Sequence, residues 1–109
     1  MDQKIEQYLN NLVDECIKSA SFSSLSEEEK SQKRELISDD FNQIVMDTLL
    51  GFMSKDELDQ LESINFESEE GVQKFAEVAS KLPSYVFLEI GDRLRLEAEV
   101  IKKDGSIPQ

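Results

Sequence analysis

Apolar residues recur at three- and four-residue steps through most of this chain, the period of helices that bury one face. Ile5, Leu9, Leu12, Val13, Cys16, Ile17 and Ala20 form such a stripe, with Lys4, Glu6, Asn10, Asn11, Asp14, Glu15 and Lys18 on the other face. The spacing predicts helices over 2–19, 26–53, 54–64, 68–82 and 84–103. The expected fold is all-α, a compact bundle of about five helices around the central helix 26–53. Residues 20–25 (ASFSSL) are a Ser-rich connector. Serines there compete for backbone hydrogen bonds and end a helix, while Phe22 anchors the connector to the core. Residues 26–103 are read as the core domain, 1–19 as an N-terminal amphipathic helix and 104–109 as a disordered tail.

Start and stop signals set these boundaries. Ser26 followed by Glu27, Glu28 and Glu29 is a capping box, and Ser54 with Glu57 repeats it. Ser68 caps the fourth helix, whose expected buried face is Val72, Phe75, Ala76, Ala79 and Leu82, flanked by Val78. Pro83 ends that helix, because it disfavours helical geometry at Leu82 and has no amide. The last element carries two periods. Leu94, Leu96, Ala98 and Val100 alternate with charged residues as in a strand, whereas Phe87, Ile90, Leu94, Ala98 and Ile101 share one helical face. Its Glu, Arg, Leu and Ala content, Lys102 and Lys103 near the end, and Gly105 beyond favour helix. Gly91 within it reads as a close crossing or slight bend.

The central helix is apolar on two sides. Ile37, Phe41, Ile44, Val45, Thr48 and Phe52 form one stripe, and Met46, Leu50 and Met53 a second roughly opposite, leaving Asp40, Gln43 and Asp47 as a narrow polar strip. Each apolar side needs a cover. The candidate interaction surface is therefore Met46, Leu50 and Met53 together with Ile5, Leu9, Leu12 and Cys16 of the first helix. Two arrangements meet the need: the first helix folds back over the Met46 stripe, or a helix from another chain occupies it, as a swapped homodimer or a partner complex.

Composition narrows the function by exclusion. The chain has 109 residues, no His, and a formal charge of −12. A nucleic-acid backbone or an anionic membrane repels such a surface, so neither is an expected partner. Without His or a second cysteine, the usual zinc sites and Ser-His-Asp or Cys-His catalysis are excluded, and Cys16 reads as a small buried apolar residue. Asp39 to Leu50 lacks the Gly and closing Glu of a calcium loop, and the four isolated glycines make no phosphate loop. Asp47, Thr48 and Leu49 stand nearest the Asp-Ser-Leu motif of acyl carrier proteins, but in mid-helix and with Thr for Ser. The adjacent pairs Asp39 with Asp40 and Glu69 with Glu70 diverge on a helix and read as solvated charge. No enzyme activity, metal or cofactor is expected. With no signal peptide and no run approaching about 20 apolar residues, the expected location is cytoplasmic.

Residues 25–103 resemble a small bacterial family of helical domains of unknown function. The likeness rests on the Leu-Ser-Glu-Glu-Glu-Lys opening (25–30), a long helix, and a restart at 53–58 with Met53 in place of Leu. A Phe-containing helix running into Leu82 and Pro83 and a Glu/Arg-rich closing helix complete it. The resemblance implies a helical fold and no activity. The residues themselves point to a non-enzymatic protein–protein interaction module, acting on a protein partner or as a homo-oligomer. The alternative is an acidic decoy or inhibitor that occupies a basic site on a nucleic-acid-binding protein, since residues 26–65 hold 11 acidic against 4 basic side chains.

Overall fold

The computed structural model describes residues 3–65 and 67–105, with side chains from Glu6 onward. It is all-helical among these residues: α1 (Gln3–Lys18), a 3-10 turn (Ala20–Phe22), α2 (Glu27–Gly51), α3 (Lys55–Leu61), α4 (Glu69–Ser80) and α5 (Ser84–Asp104). Asp2, the side chain of Ile5, Phe66 and the 106–109 part of the expected tail lie outside what is described. The 92–101 ambiguity resolves to helix, since α5 runs unbroken through Gly91 to Asp104.

Local chemistry accounts for the boundaries. At α2 the Ser26 hydroxyl accepts from the Glu29 amide and the Glu29 carboxylate accepts from the Ser26 amide, both at 3.2 Å. Ser54 and Glu57 repeat the exchange at α3. Each box satisfies amides that have no partner within the helix. Ser68 caps α4 by accepting from the Gly71 amide at 3.0 Å while its hydroxyl donates to the Asn65 carbonyl. α5 ends on Gly105, whose φ of 69° is left-handed and lets its amide donate to the Ile101 carbonyl at 2.8 Å.

α1, α2 and α5 form a three-helix bundle whose directions follow from cross-helix pairs. Arg34 ion-pairs with Asp14, while Glu6 and Asn10 lie beside Ser38 and Asn42, so α1 runs antiparallel to α2. Tyr8 donates to the Gly91 carbonyl, and Ser21 donates to that of Lys102 at 2.7 Å, so α1 runs parallel to α5. α3 and α4 pack chiefly on each other beyond the end of α2. The molecule is consequently elongated, 48 × 28 × 23 Å.

One apolar cluster runs through every helix. α1 contributes Leu9, Leu12, Val13, Cys16 and Ile17, and α2 contributes Ile37, Phe41, Val45 and Leu49. Leu61 of α3, Phe75 and Val78 of α4, and Val86, Ile90, Leu94, Ala98 and Ile101 of α5 complete it, with Phe22 anchored as expected. Several expected core positions prove more open. Val72 is 46% exposed, because Gly71 takes the inward position where α4 meets the Asn65 backbone. Phe52 and Leu58 are also exposed, and Ala20 lies outside the core. Gly91 is not a close crossing: a Cβ built there meets nothing within 4 Å.

Cys16 is fully buried, with its thiol 3.9 Å from the Ala98 carbonyl, and burial pushes its pKa from 9.0 up to about 11. Only the thiolate reacts, so alkylation at neutral pH is expected to be on the order of a hundredfold slower in the folded chain than in the unfolded one. A thiol-reactive chromophore with and without denaturant measures this, and equal rates would contradict the burial.

Candidate interaction surface

Folding places the sequence-derived surface largely inside the molecule. Leu9, Leu12, Cys16 and Met53 are buried, while Met46 and Leu50 are half-buried and packed against the core cluster. α1 seats within its own chain, where it meets the Asp14-facing half of α2. Met53 is buried in the one cluster that holds Leu9, Leu12 and Cys16 of α1 together with Leu61, Phe75 and Val78 of α3 and α4, and Met46 and Leu50 pack against it. In the single chain four of the six described residues of the set are therefore interior, and Met46 and Leu50 lie at the edge of the core. Exchange of α1 between two copies would bury the same side chains in trans.

The open apolar surface lies elsewhere, on the side of α2 and α5 turned away from α1. On α5, Leu96 is 68% exposed, Tyr85 59% and Val100 46%. These three fall on one helical stripe, because eleven and fifteen residues are nearly whole numbers of turns. Ile44, Asp47, Thr48, Arg93, Leu96, Glu97 and Val100 line an open hollow of about 380 Å³ between the two helices. At the α2 C-terminal end Phe52 packs edge-to-face on Tyr85, with ring centres 5.8 Å apart. Leu96 and Val100 thus flank the hollow, while Tyr85 stands about 16 Å from Leu96 along α5 at 1.5 Å per residue, with Glu89 and Arg93 between them.

The polar groups of the hollow are mostly engaged. Arg93 donates from Nε to Glu89 at 2.9 Å and from Nη1 to the Thr48 hydroxyl at 3.3 Å. The Thr48 hydroxyl itself donates to the Ile44 carbonyl at 2.7 Å. Asp40 is different, and not the simple solvated charge expected from its neighbour Asp39. Across the α2–α5 seam it meets Glu97, and its buried Oδ2 has no hydrogen-bond partner. Burial raises the pKa of both carboxyls. The two carboxyls face each other and titrate as a pair, with full ionisation of both disfavoured.

No family model matches the chain, and no curated protein or solved structure matches it. The site's reading therefore rests on its own geometry.

That geometry makes a pH prediction. Both carboxyls titrate above their ordinary values of 3.8 and 4.5, so the folded chain binds more protons than the unfolded chain in the window just above those values. Stability from this pair therefore rises as pH falls through that window, and the pair is unfavourable at neutral pH. Glu97→Gln, which keeps a donor toward Asp40 and removes one charge, is expected to raise the unfolding temperature at pH 7. The gain should shrink as pH approaches about 4. Thermal melts followed by circular dichroism across that range provide the test, and a gain unchanged by pH would show that the pair does not titrate as described.

A second hollow, between α1 and α5, is lined by Tyr8, Leu88, Gly91 and Arg95 among others. It opens because Gly91 has no side chain, and Tyr8 closes its floor by donating to the Gly91 carbonyl at 3.4 Å. Leu88 is exposed at its rim. Among the described residues, no three Cys, Asp or Glu side chains come together to hold a metal ion, and no helix is long and apolar enough to cross a membrane.

The sequence reading missed Leu96, Val100 and Tyr85. Its signal for two of them was present as the strand-like alternation of Leu94, Leu96, Ala98 and Val100. Once that segment is a helix, Leu94 and Ala98 take the buried face, and Leu96 and Val100 are left over as apolar side chains facing out.

Proposed function

We propose that this protein is a non-enzymatic cytoplasmic interaction module that binds a protein partner through the groove between α2 and α5. The observation that carries this reading is the exposure of Leu96, Val100 and Tyr85 along one stripe beside Ile44 and Phe52. Scattered exposed apolar residues are ordinary, whereas Leu96 and Val100 opening with Ile44 onto one helix–helix groove, with the Phe52–Tyr85 pair farther along the same seam, make the kind of patch that marks an interface. An anchor residue of a partner enters such a hollow and is desolvated there, with the surrounding polar groups as rim.

A second reading, the acidic decoy for a basic site on a nucleic-acid-binding protein, is favoured by the net charge of −12. The two differ in salt response. A decoy complex dissociates by about 0.5 M salt as charge is screened, while an apolar groove complex persists. The test is affinity capture from the native host with the wild-type chain and with L96S/V100S, each eluted through a salt gradient. The groove reading expects a salt-resistant protein retained by the wild type and lost with the variant. Partners that all elute by ~0.5 M salt, or that ignore the substitutions, would overturn it.

A further inference from the structure

Resting on that groove reading, we infer that the occupant is an amphipathic α-helix of about four turns with Lys or Arg flanking its apolar face, supplied by a different protein. Shape carries the first part. α1, α2 and α5 occupy three corners of a bundle, and the α2–α5 groove on the side away from α1 lies where a fourth helix sits in a four-helix bundle. A helix laid there sets apolar residues at i, i+11 and i+14/i+15 against Tyr85, against Leu96 with Ile44, and against Val100.

Charge carries the second part. Asp47 and Glu97 stand in the hollow, and Asp40 meets Glu97 at its edge. The cation in the hollow, Arg93, is already held by Glu89 and Thr48. Covering this groove with a neutral helix would remove water from the carboxylates without replacing it, and an unpaired ion loses more by that than an apolar contact returns. A Lys or Arg on the incoming helix supplies donors to Asp47 and Glu97 and turns a desolvation cost into charge-assisted hydrogen bonds. A second copy of this chain fits poorly for the same reason, since two chains of charge −12 would bring like charges together at an acidic seam.

Designed peptides of about 16 residues provide the probe: a Leu/Lys amphipathic helix, its Leu/Glu counterpart, and a scrambled Leu/Lys isomer with the same charge but no apolar face. Isothermal titration calorimetry reads affinity. Amide chemical-shift mapping on the wild-type chain reads location, independently of any variant's folding. The expected result is that the Leu/Lys helix binds at least tenfold more tightly than either control. It should perturb residues 44–48 and 93–100, lose at least tenfold in L96S/V100S, and lose several-fold in D47N. Equal binding of the scrambled isomer, or shifts confined to other surfaces, would overturn the inference. So would a groove-dependent dimer of the chain alone in sedimentation equilibrium. If the peptide fails while the host partner is still lost with L96S/V100S, the groove stands as the interface and only its basic helical occupant is wrong. If both fail, the interaction reading falls with it.

Discussion

Phe41→Ala is expected to lower the free energy of unfolding by about 3–5 kcal/mol, the range for truncating a buried aromatic residue. Phe41 has no exposed surface, and its neighbours along the inner stripe of α2, Ile37 and Val45, have none either. It sits on the segment of α2 bounded by Arg34, which pairs with α1, and Thr48, which bonds to Arg93 of α5. The cavity would therefore open where three helices meet, and none of the three can close it without breaking packing with the other two. A domain of this size is stable by roughly 5–15 kcal/mol in total, so the substitution consumes a large fraction of it. Urea denaturation at equilibrium measures the loss, and Phe41→Leu, which keeps most of the volume, should lose much less. A loss below about 1 kcal/mol for Ala would mean that the centre of the bundle is packed differently.

Gly71→Ala is expected to destabilise by about 1–3 kcal/mol through overpacking, although Ala is the better helix former by about 1 kcal/mol. A Cβ at Gly71 would lie 1.8 Å from the Asn65 carbonyl oxygen, 2.6 Å from its carbon and 2.8 Å from Ile64 Cγ2. Two of those three atoms are backbone. The Asn65 carbonyl is also fixed, because it accepts from both the amide and the hydroxyl of Ser68. Because α3 and α4 pack chiefly on each other, the damage should concentrate there. Native-state hydrogen exchange should show protection falling in Lys55–Leu61 and Glu69–Ser80 before it falls in α1, α2 or α5. Gly91→Ala is the control. It is also mid-helix, but its Cβ meets nothing within 4 Å, so it should gain up to about 1 kcal/mol. If both substitutions stabilise, the close approach at Asn65 is not present in solution.

The groove and the acidic pair are linked in a way that bears on partner binding. Asp40 and Glu97 disfavour each other's ionisation in the free chain, and a cation placed beside them would relieve the conflict. Groove residues would then be poorly chosen for stability alone, which is common where a surface is shaped for a second molecule.

Helix number, type and boundaries were legible in the chain itself because their causes are local. Ser26 with Glu29 and Ser54 with Glu57 satisfy amides within one turn, Pro83 lacks a donor, and Gly105 adopts a left-handed φ that few other residues tolerate. The inward stripes of α1 and α5 were equally legible, since a period of 3.6 needs no knowledge of the partner. Which face met which helix was not. The Met46, Leu50 and Met53 stripe was apolar in sequence whether covered by α1, by α3 and α4, or by another molecule. The antiparallel register of α1 on α2, pinned by Asp14 with Arg34 and by Glu6 and Asn10 beside Ser38 and Asn42, decides where α1 lies along α2, and Met53 is buried in the one cluster that α1, α3 and α4 all join. Gly71 and Gly91 looked alike as single glycines in helices, and only the approach of the Asn65 backbone separates them. The meeting of Asp40 with Glu97, 57 positions apart in the chain, likewise depends on the α2–α5 seam. The sequence by itself determined the helices and the inner stripes of α1 and α5; tertiary packing decided that Gly71 rather than Val72 faces inward on α4, that Phe52 and Leu58 are exposed, and which apolar surface stayed open, because exposure depends on neighbours that local periodicity does not identify.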